Sequence, residues 1–490
     1  MQMMPNWLKK RAFLTPNRPA IVFNGQQTTF AELYDKAYLV AGKLTSRGVK
    51  KGQFIALLLR NHLDSAVILL ALQLLGVRAV ILNNRLTAEE IVWQLKDSKA
   101  VFLISEEFFQ EKTEKIKSSL ADLPLLLKEP LEDTPIEEPL ILEEIDLDEI
   151  CTIMYTSGTT GHPKGVIQTY GNHWWSATGS ALNLGLHDDD CWLCMVPLFH
   201  ISGYSILMKS ILYGMKMVLH ERFDEKMALA DIQQEHVTIM SVVSTTLTRI
   251  LEQLHDRKLP EHFRCMLLGG GPAALPLLEE CVSKKVPVFQ TYGMTETSSQ
   301  IVTLSPEDSL RKLGSAGKPL FPSQLKIIQA EKKEATPNET GEIVVKGPNV
   351  TSGYLNQSGE IQDGWLHTGD MGYLDEEGFL FVLDRRSDLI ISGGENIYPA
   401  EIEGVLNSHP AIRESGVIGR KNNKWGEIPV AFIVKNSSIK EEEIVVFCLE
   451  KLAKYKIPKE IHFISEIPRN ASRKILRRKL RILLNEPMQS

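Results

Sequence analysis

A run of six small hydroxyl and glycine residues, Thr156-Ser157-Gly158-Thr159-Thr160-Gly161, leads into His162-Pro163-Lys164-Gly165 directly after the β-rich run Cys151 to Tyr155. Glycine lets backbone N–H groups approach an anion, hydroxyls donate further hydrogen bonds, and one lysine adds a point charge, so the loop suits phosphate. It is not of the Walker type, because G-x-x-x-x-G-K-[ST] is absent and Lys164 is followed by glycine. On composition alone, a flexible Ser/Gly turn is the alternative. Charge concentrates again near the end, where seven cations fall between Arg469 and Arg481 around Ser472-Arg473-Lys474. Alone, that stretch reads as a solvated basic face or a nucleic-acid tail.

Four further strings carry polar residues beside glycine or proline. Leu267-Leu268-Gly269-Gly270-Gly271-Pro272 ends a strand and would otherwise be a helix-entry turn. Gln290-Thr291-Tyr292-Gly293-Met294-Thr295-Glu296 follows another strand. Trp365-Leu366-His367-Thr368-Gly369-Asp370 offers a carboxylate able to accept from two hydroxyls, although an isolated Asp more often caps a turn. Pro197-Leu198-Phe199-His200 ends on a histidine, which by default is a satisfied structural residue.

In this order, and over essentially the entire chain, these strings resemble the adenylate-forming superfamily, which includes acyl-CoA synthetases, luciferases and peptide-synthetase adenylation domains. The resemblance implies ATP, Mg²⁺ and coenzyme A as cofactor and co-substrates. Thr156 to Gly161 and Lys164 would hold the nucleotide phosphates, and Gly270, Gly271 and Pro272 would pass close to the adenine. Tyr292 would lie against the adenine face and Gln290 near its amino group. Thr295 would bind the α-phosphate and Glu296 the magnesium ion, for which a carboxylate is the right hard oxygen ligand. Asp370 matches the ribose position and Arg385 a second ribose or phosphate contact. Lys474 becomes the catalytic lysine bridging the substrate carboxylate and the α-phosphate, where a cation suits the developing charge. His200 would gate the acyl pocket and not act as a base, since a carboxylate is already ionised at neutral pH.

Ile391-Ser392-Gly393-Gly394-Glu395-Asn396-Ile397 resembles the segment lining the pantetheine tunnel, with Gly394 and Trp425 as contact positions. The family hinge position carries Asp or Lys and falls here on Ser387, a departure that leaves the hinge assignment open. Finer resemblance, through Tyr170-Gly-Asn-His-Trp-Trp, Gln300-Ile-Val-Thr-Leu-Ser-Pro-Glu and Leu313-Gly-Ser-Ala-Gly-Lys-Pro-Leu, is to the bacterial 2-succinylbenzoate–CoA ligases of menaquinone biosynthesis. A pocket for that acid must hold a second carboxylate, which is expensive to bury without a donor or cation. His200, Ser244, Gly293 and Ser298 are the pocket positions, with Ser241, Thr245, Thr246 and Ser299 as further candidates. Ser and Thr on apolar strands fit equally well as core residues bonded to backbone. Another aryl- or acyl-CoA ligase, or a non-catalytic nucleotide-binding protein, remains the alternative.

The elements that must position these residues follow a strand–helix–strand rhythm, which argues for an α/β fold with parallel layers. Apolar spacing predicts a helix over 30–47, a strand over 54–59, a helix over 64–75 and a strand over 79–82. After about 314 the texture turns to short strands separated by turn residues, so a β-rich subdomain is expected over 314–384. The expected organisation is a large N-terminal domain over 1–384 and a smaller mobile α/β domain over 385–490. Residues 105–148 read as an acidic, proline-punctuated surface connection. With 490 residues, 43% apolar and a net charge of −6, generic nucleic-acid binding is disfavoured. From Arg385 onward, however, 19 Lys and Arg face 13 Asp and Glu, a net of +6 suited to an anion. Cys191 and Cys194 form a C-x-x-C with no second pair at zinc spacing, and a buried strand is the preferred reading. The apolar stretch 65–77 is too short to span a bilayer. No signal peptide is evident, so a cytoplasmic protein with small-molecule partners is expected. A homo-oligomer is left open by analogy with relatives.

Overall fold

The computed structural model describes residues 2–129, 131, 133–156, 163–270, 273, 275–329, 333–357, 361–384, 389–468, 475 and 477–485. The chain divides into two compact units, one of residues 1–84, 95–155 and 165–383 and the other of residues 85–94, 156–164 and 384–490.

In the first unit, one sheet has six strands, in the order Lys164–Thr169, Ile150–Thr156, Arg78–Ile81, Phe54–Leu58, Phe102–Ser105 and Leu125–Leu127. From Ile150–Thr156 to Leu125–Leu127 its neighbours run parallel. The apolar run Phe54–Leu58, the helix Leu63–Leu74 and the strand Arg78–Ile81 form the expected crossover. The helix is buried on every face from Ser65 to Leu74, as expected for one that is apolar all round. Helix Ile201–Tyr213 is likewise buried from Gly203 to Ile211. No helix among the described residues is long and apolar enough to cross a membrane.

The second sheet has fourteen strands. Pro19–Phe23, Lys216–Leu219, Cys191–Cys194, Ile239–Val242, Cys265–Leu268 and Val288–Met294 lie side by side and parallel. At Val288–Met294 the pairing turns antiparallel, through Ser299–Leu304 and Ser315–Pro319. The β-rich group expected over 314–384 follows and is continuous with the large sheet, because Ser315–Pro319 also pairs with Leu380–Asp384. Cys191–Cys194 is a fully buried strand, and all six cysteines are buried and free of disulfides.

Residues 105–148 are more structured than expected. They contain the helix Gln110–Ser119, and Leu125–Leu127 extends the six-stranded sheet. Glu144–Asp146 pairs with Met3–Pro5. Acidic and proline residues masked the short apolar runs that reach the sheet.

The second unit carries a five-stranded sheet built on the long hairpin Ile412–Asn422 and Gly426–Lys435, with Ile390–Ser392, Glu395–Ile397 and Glu460–Phe463. Helices Pro399–Asn407 and Glu441–Lys451 contribute Ile402, Leu406, Ile444 and Cys448 to its core.

Candidate functional site

Alternation along Val288–Met294 buries Gln290 and Tyr292 on one face and leaves Phe289 and Thr291 half-buried on the other. The Tyr292 hydroxyl donates to Asp370 Oδ2 at 2.7 Å. Asp370 lies on Trp365–Leu374, and its N–H donates to the Thr368 hydroxyl at 3.0 Å. The fold thus joins the adenine and ribose candidates across 78 residues of sequence. Gln290 is 5% exposed, and its Nε2 has no hydrogen-bond partner among the described residues. A buried amide left unpaired costs about 1–3 kcal/mol, so this side chain is suited to a polar ligand edge.

Immediately beyond, Thr295–Thr297 forms a single 3-10 turn and the chain reverses. Gly293 permits this, since a Cβ there would stand 2.2 Å from the Ser299 carbonyl oxygen. Ser298 and Ser299 take positive φ values of 54° and 125°, which is costly for non-glycine residues. The turn is held carbonyl by carbonyl. Gln168 donates to Thr295 O at 2.8 Å, the Thr351 N–H to Glu296 O at 2.7 Å, and Asn349 to Thr297 O at 3.2 Å. Ser176 donates to Ser298 O at 2.7 Å and the Thr297 hydroxyl to Ser299 O at 2.6 Å. Glu296 is 9% exposed and its Oε1 accepts from the Tyr354 hydroxyl at 2.9 Å. A buried carboxylate ordered through one oxygen by a phenol is a hard oxygen ligand of the kind that would hold a magnesium ion.

At the acyl-pocket candidates, Pro197–His200 forms a turn closed by the His200 N–H on Pro197 O at 3.1 Å. His200 caps the helix Ile201–Tyr213, with its ring 4.7 Å from Phe199. A Cβ at Gly203 would be 2.2 Å from Pro197 O, so glycine lets the helix dock on this turn. Ser205, one turn in, touches the Ser299 hydroxyl at 3.4 Å. One further turn along lies Lys209, 1% exposed, its Nζ 4.9 Å from the Trp192 ring. It has no acidic or hydrogen-bonding partner among the described residues, and burial pushes its ammonium down to about 7. Sequence reasoning missed this residue. The signal was a single charge inside the apolar run Ile206-Leu207-Met208-Lys209-Ser210-Ile211.

The hydroxyl candidates separate. Ser241 accepts from Nε1 of Trp192, the residue whose ring Lys209 faces, at 3.1 Å. Thr246 is a helix cap, bonded to the Val243 N–H and carbonyl, so for it the structural reading holds. Ser244 and Thr245 are half-buried at the same helix start. Ser298 Oγ is buried without a partner among the described residues.

Gly270 ends the Cys265–Leu268 strand with φ +91°. In the second unit, Gly393 and Gly394 form a hairpin tip at φ +58° and +84°. The Gly393 N–H donates to Trp425 O at 2.7 Å, and a Cβ there would meet the indole at 3.0 Å. The tunnel candidates Gly394 and Trp425 are thereby neighbours, and Lys424 sits 5.1 Å from the Trp425 ring. Thr156 ends one strand and Lys164 begins the next. Ser157, Gly158, Thr159, Thr160, Gly161, Gly271, Pro272, Arg385, Ser387 and Lys474 lie outside the described residues.

Comparison with known proteins identifies the family. The AMP-binding enzyme family matches residues 8–355, and the AMP-binding enzyme C-terminal domain matches residues 401–474. A 2-succinylbenzoate–CoA ligase of Bacillus cereus strain Q1 is 55% identical over 490 residues, covering 99% of this chain and 100% of the relative. Among solved structures, a double mutant of the o-succinylbenzoate CoA synthetase MenE from Bacillus subtilis, bound to the product analogue OSB-NCoA, is 50% identical, with a TM-score of 0.94 over 98% of both chains. The same enzyme in complex with ATP and a magnesium ion gives a TM-score of 0.78 at 50% identity, over 98% of this chain and 100% of that one. With both family domains matched in order and relatives of this identity along its whole length, the chain belongs to the AMP-binding enzyme family of adenylate-forming proteins.

Proposed function

We propose that this protein is a 2-succinylbenzoate–CoA ligase of menaquinone biosynthesis, converting the acid, ATP and CoA to 2-succinylbenzoyl-CoA, AMP and diphosphate through an acyl-adenylate. The observation that carries the choice of acid is Lys209, a buried cation with no counter-charge among the described residues, beside the Trp192 ring. An acid with one small ring and two carboxylates needs a polar anchor for the carboxylate that does not react, and a monocarboxylic acid needs none.

In the first half-reaction one carboxylate of the acid attacks the α-phosphorus of the nucleotide and diphosphate leaves. Tyr292 and Asp370 orient the nucleoside, with Gln290 offering its buried amide to the base edge. Thr295 is the α-phosphate contact and Glu296 the magnesium ligand. The metal, when bound, neutralises charge on the phosphates. Thr156 to Gly161 with Lys164 cradle the leaving diphosphate, and Lys474 bridges the reacting carboxylate and phosphate. Catalysis comes from positioning and electrostatic stabilisation, without covalent chemistry by the protein. In the second half-reaction the CoA thiol attacks the acyl carbon and AMP departs. Gly394 and Trp425 line the thiol approach, and His200 and Ser298 border the acyl group. We assign the nucleotide and acid to residues 1–384 and the lysine and tunnel lining to residues 385–490. Six free thiols and the absence of any disulfide support a reducing, cytoplasmic setting.

Diphosphate release measured across a panel of carboxylic acids with CoA tests the reading. Turnover of 2-succinylbenzoate at least tenfold above benzoate and octanoate is expected. Equal turnover of all three would overturn the choice of acid, and no turnover of any would favour a non-catalytic nucleotide binder.

A further inference from the structure

Tyr354 is 5% exposed and its hydroxyl donates to Glu296 Oε1 at 2.9 Å, although the two residues lie 58 apart in sequence. Its backbone is fixed independently of that bond. Tyr354 bridges to Val166, the Leu355 N–H donates to Gly165 O at 2.7 Å, and the Ile167 N–H donates to Gly353 O at 3.1 Å. The segment 353–355 is therefore bound to the strand Lys164–Thr169, which emerges directly from the phosphate-loop sequence. The same strand supplies Gln168, fully buried, whose amide donates to the Thr295 carbonyl at 2.8 Å. Gln168 is itself oriented by the Thr152 hydroxyl, which donates to its Oε1 at 2.8 Å and lies 3.0 Å from His173 Nε2. One short strand thus governs the Thr295 main chain through Gln168 and the Glu296 side chain through Tyr354.

A carboxylate on a long side chain loses about 0.5–1.5 kcal/mol of rotamer freedom when it is immobilised on binding a ligand. A partner that orders it beforehand lowers that cost, and a phenol does so without bringing a charge of its own. We infer that Tyr354 is a positioning residue for magnesium-dependent adenylation, holding Glu296 in the rotamer that serves the metal of the bound nucleotide. This rests on the reading of Glu296 as the magnesium ligand.

The experiment titrates magnesium in Tyr354→Phe, which retains the ring and removes one hydroxyl. Three quantities are measured: diphosphate release with 2-succinylbenzoate, calorimetric binding of ATP at each magnesium concentration without the acid, and thioester formation from supplied acyl-adenylate and CoA. Loss of an outer partner of a metal ligand typically costs 10- to 100-fold in metal affinity, so the half-saturating magnesium concentration should rise about tenfold in the first two measurements. Thioester formation, which uses no ATP, should stay within about twofold, and the melting temperature establishes that the variant is folded. In a Glu296→Gln background, Tyr354→Phe should add no further shift, since coupled residues are non-additive. An unchanged magnesium dependence beside a shifted Glu296→Gln overturns this proposal alone. So does an equal loss in both half-reactions, or an additive shift in the double variant. Wild-type magnesium dependence in Glu296→Gln overturns the metal-ligand reading, and the proposal with it.

Discussion

Lys209 sits where ordinary folding physics would not put a cation. Its ammonium is buried over the Trp192 ring, and desolvation lowers it to about 7. Replacing a buried, unpaired charge with an apolar side chain of similar length usually stabilises a fold, by about 1–4 kcal/mol where ion pairs have been replaced. Lys209→Met should therefore raise the melting temperature while raising KM for 2-succinylbenzoate at least 50-fold. Differential scanning calorimetry and steady-state kinetics check the two halves, and a drop in both stability and affinity would mean that Lys209 is structural. A bound carboxylate raises the ammonium's pKa again, so binding takes up a proton above pH 7 and none well below it. KM for 2-succinylbenzoate should then be flat below about pH 7 and rise by up to tenfold per pH unit above it. KM for benzoate should lack that rise. The charge was visible in the sequence but not its burial, because a lysine in an apolar helix reads equally as one that snorkels to solvent. Tyr292 and Asp370 were each singled out by a motif, whereas their mutual hydrogen bond depends on strand pairing that no local pattern encodes.

Among elements, the turn Thr295–Ser299 and the loop 347–354 support each other through the start of helix Tyr170–Leu184. Asn172 completes the capping box with Thr169 and also donates to Pro348 O and Val350 O, both at 2.9 Å. Asn172→Leu removes the side-chain half of the capping box, which accepts from the Thr169 N–H, and leaves two carbonyls unsatisfied, a loss of about 2–4 kcal/mol from these causes. Chemical denaturation measures this, and adenylation should fall more than thioester formation because Glu296 hangs from the same loop. Regular elements were the most legible part of the fold. The helix expected over 30–47 is Phe30–Ser46, ending before the positive-φ Gly48, and the strands Gln324–Ile328 and Gly341–Lys346 fall where turn residues bracket them. The second half of the 105–148 segment was not legible. Its strands are three residues long and owe their conformation to partners elsewhere in the chain.

Across the whole molecule, the division of charge is the feature with kinetic meaning. An acidic larger part and a net-positive final hundred residues suit the approach of anionic substrates to the final part of the chain. Lys474→Ala should lose adenylation by about 10²–10³-fold, the scale of removing one transition-state charge donor. It should keep thioester formation from supplied acyl-adenylate within about threefold. Rapid-quench measurement of the two half-reactions decides this, and parallel losses would remove Lys474 from its role.

The six buried cysteines bear on the fact that one substrate is itself a thiol. Burial pushes the thiols of Cys151, Cys191, Cys194, Cys265 and Cys281 up to about 12, and that of Cys448 to about 11. None offers a thiolate for exchange at neutral pH. Mixed disulfides between the enzyme and oxidised CoA should not accumulate, and a chromogenic disulfide reagent should count free CoA in the native mixture without labelling the catalyst. Consumption of the cosubstrate can then be followed continuously, with the protein optically silent until it unfolds.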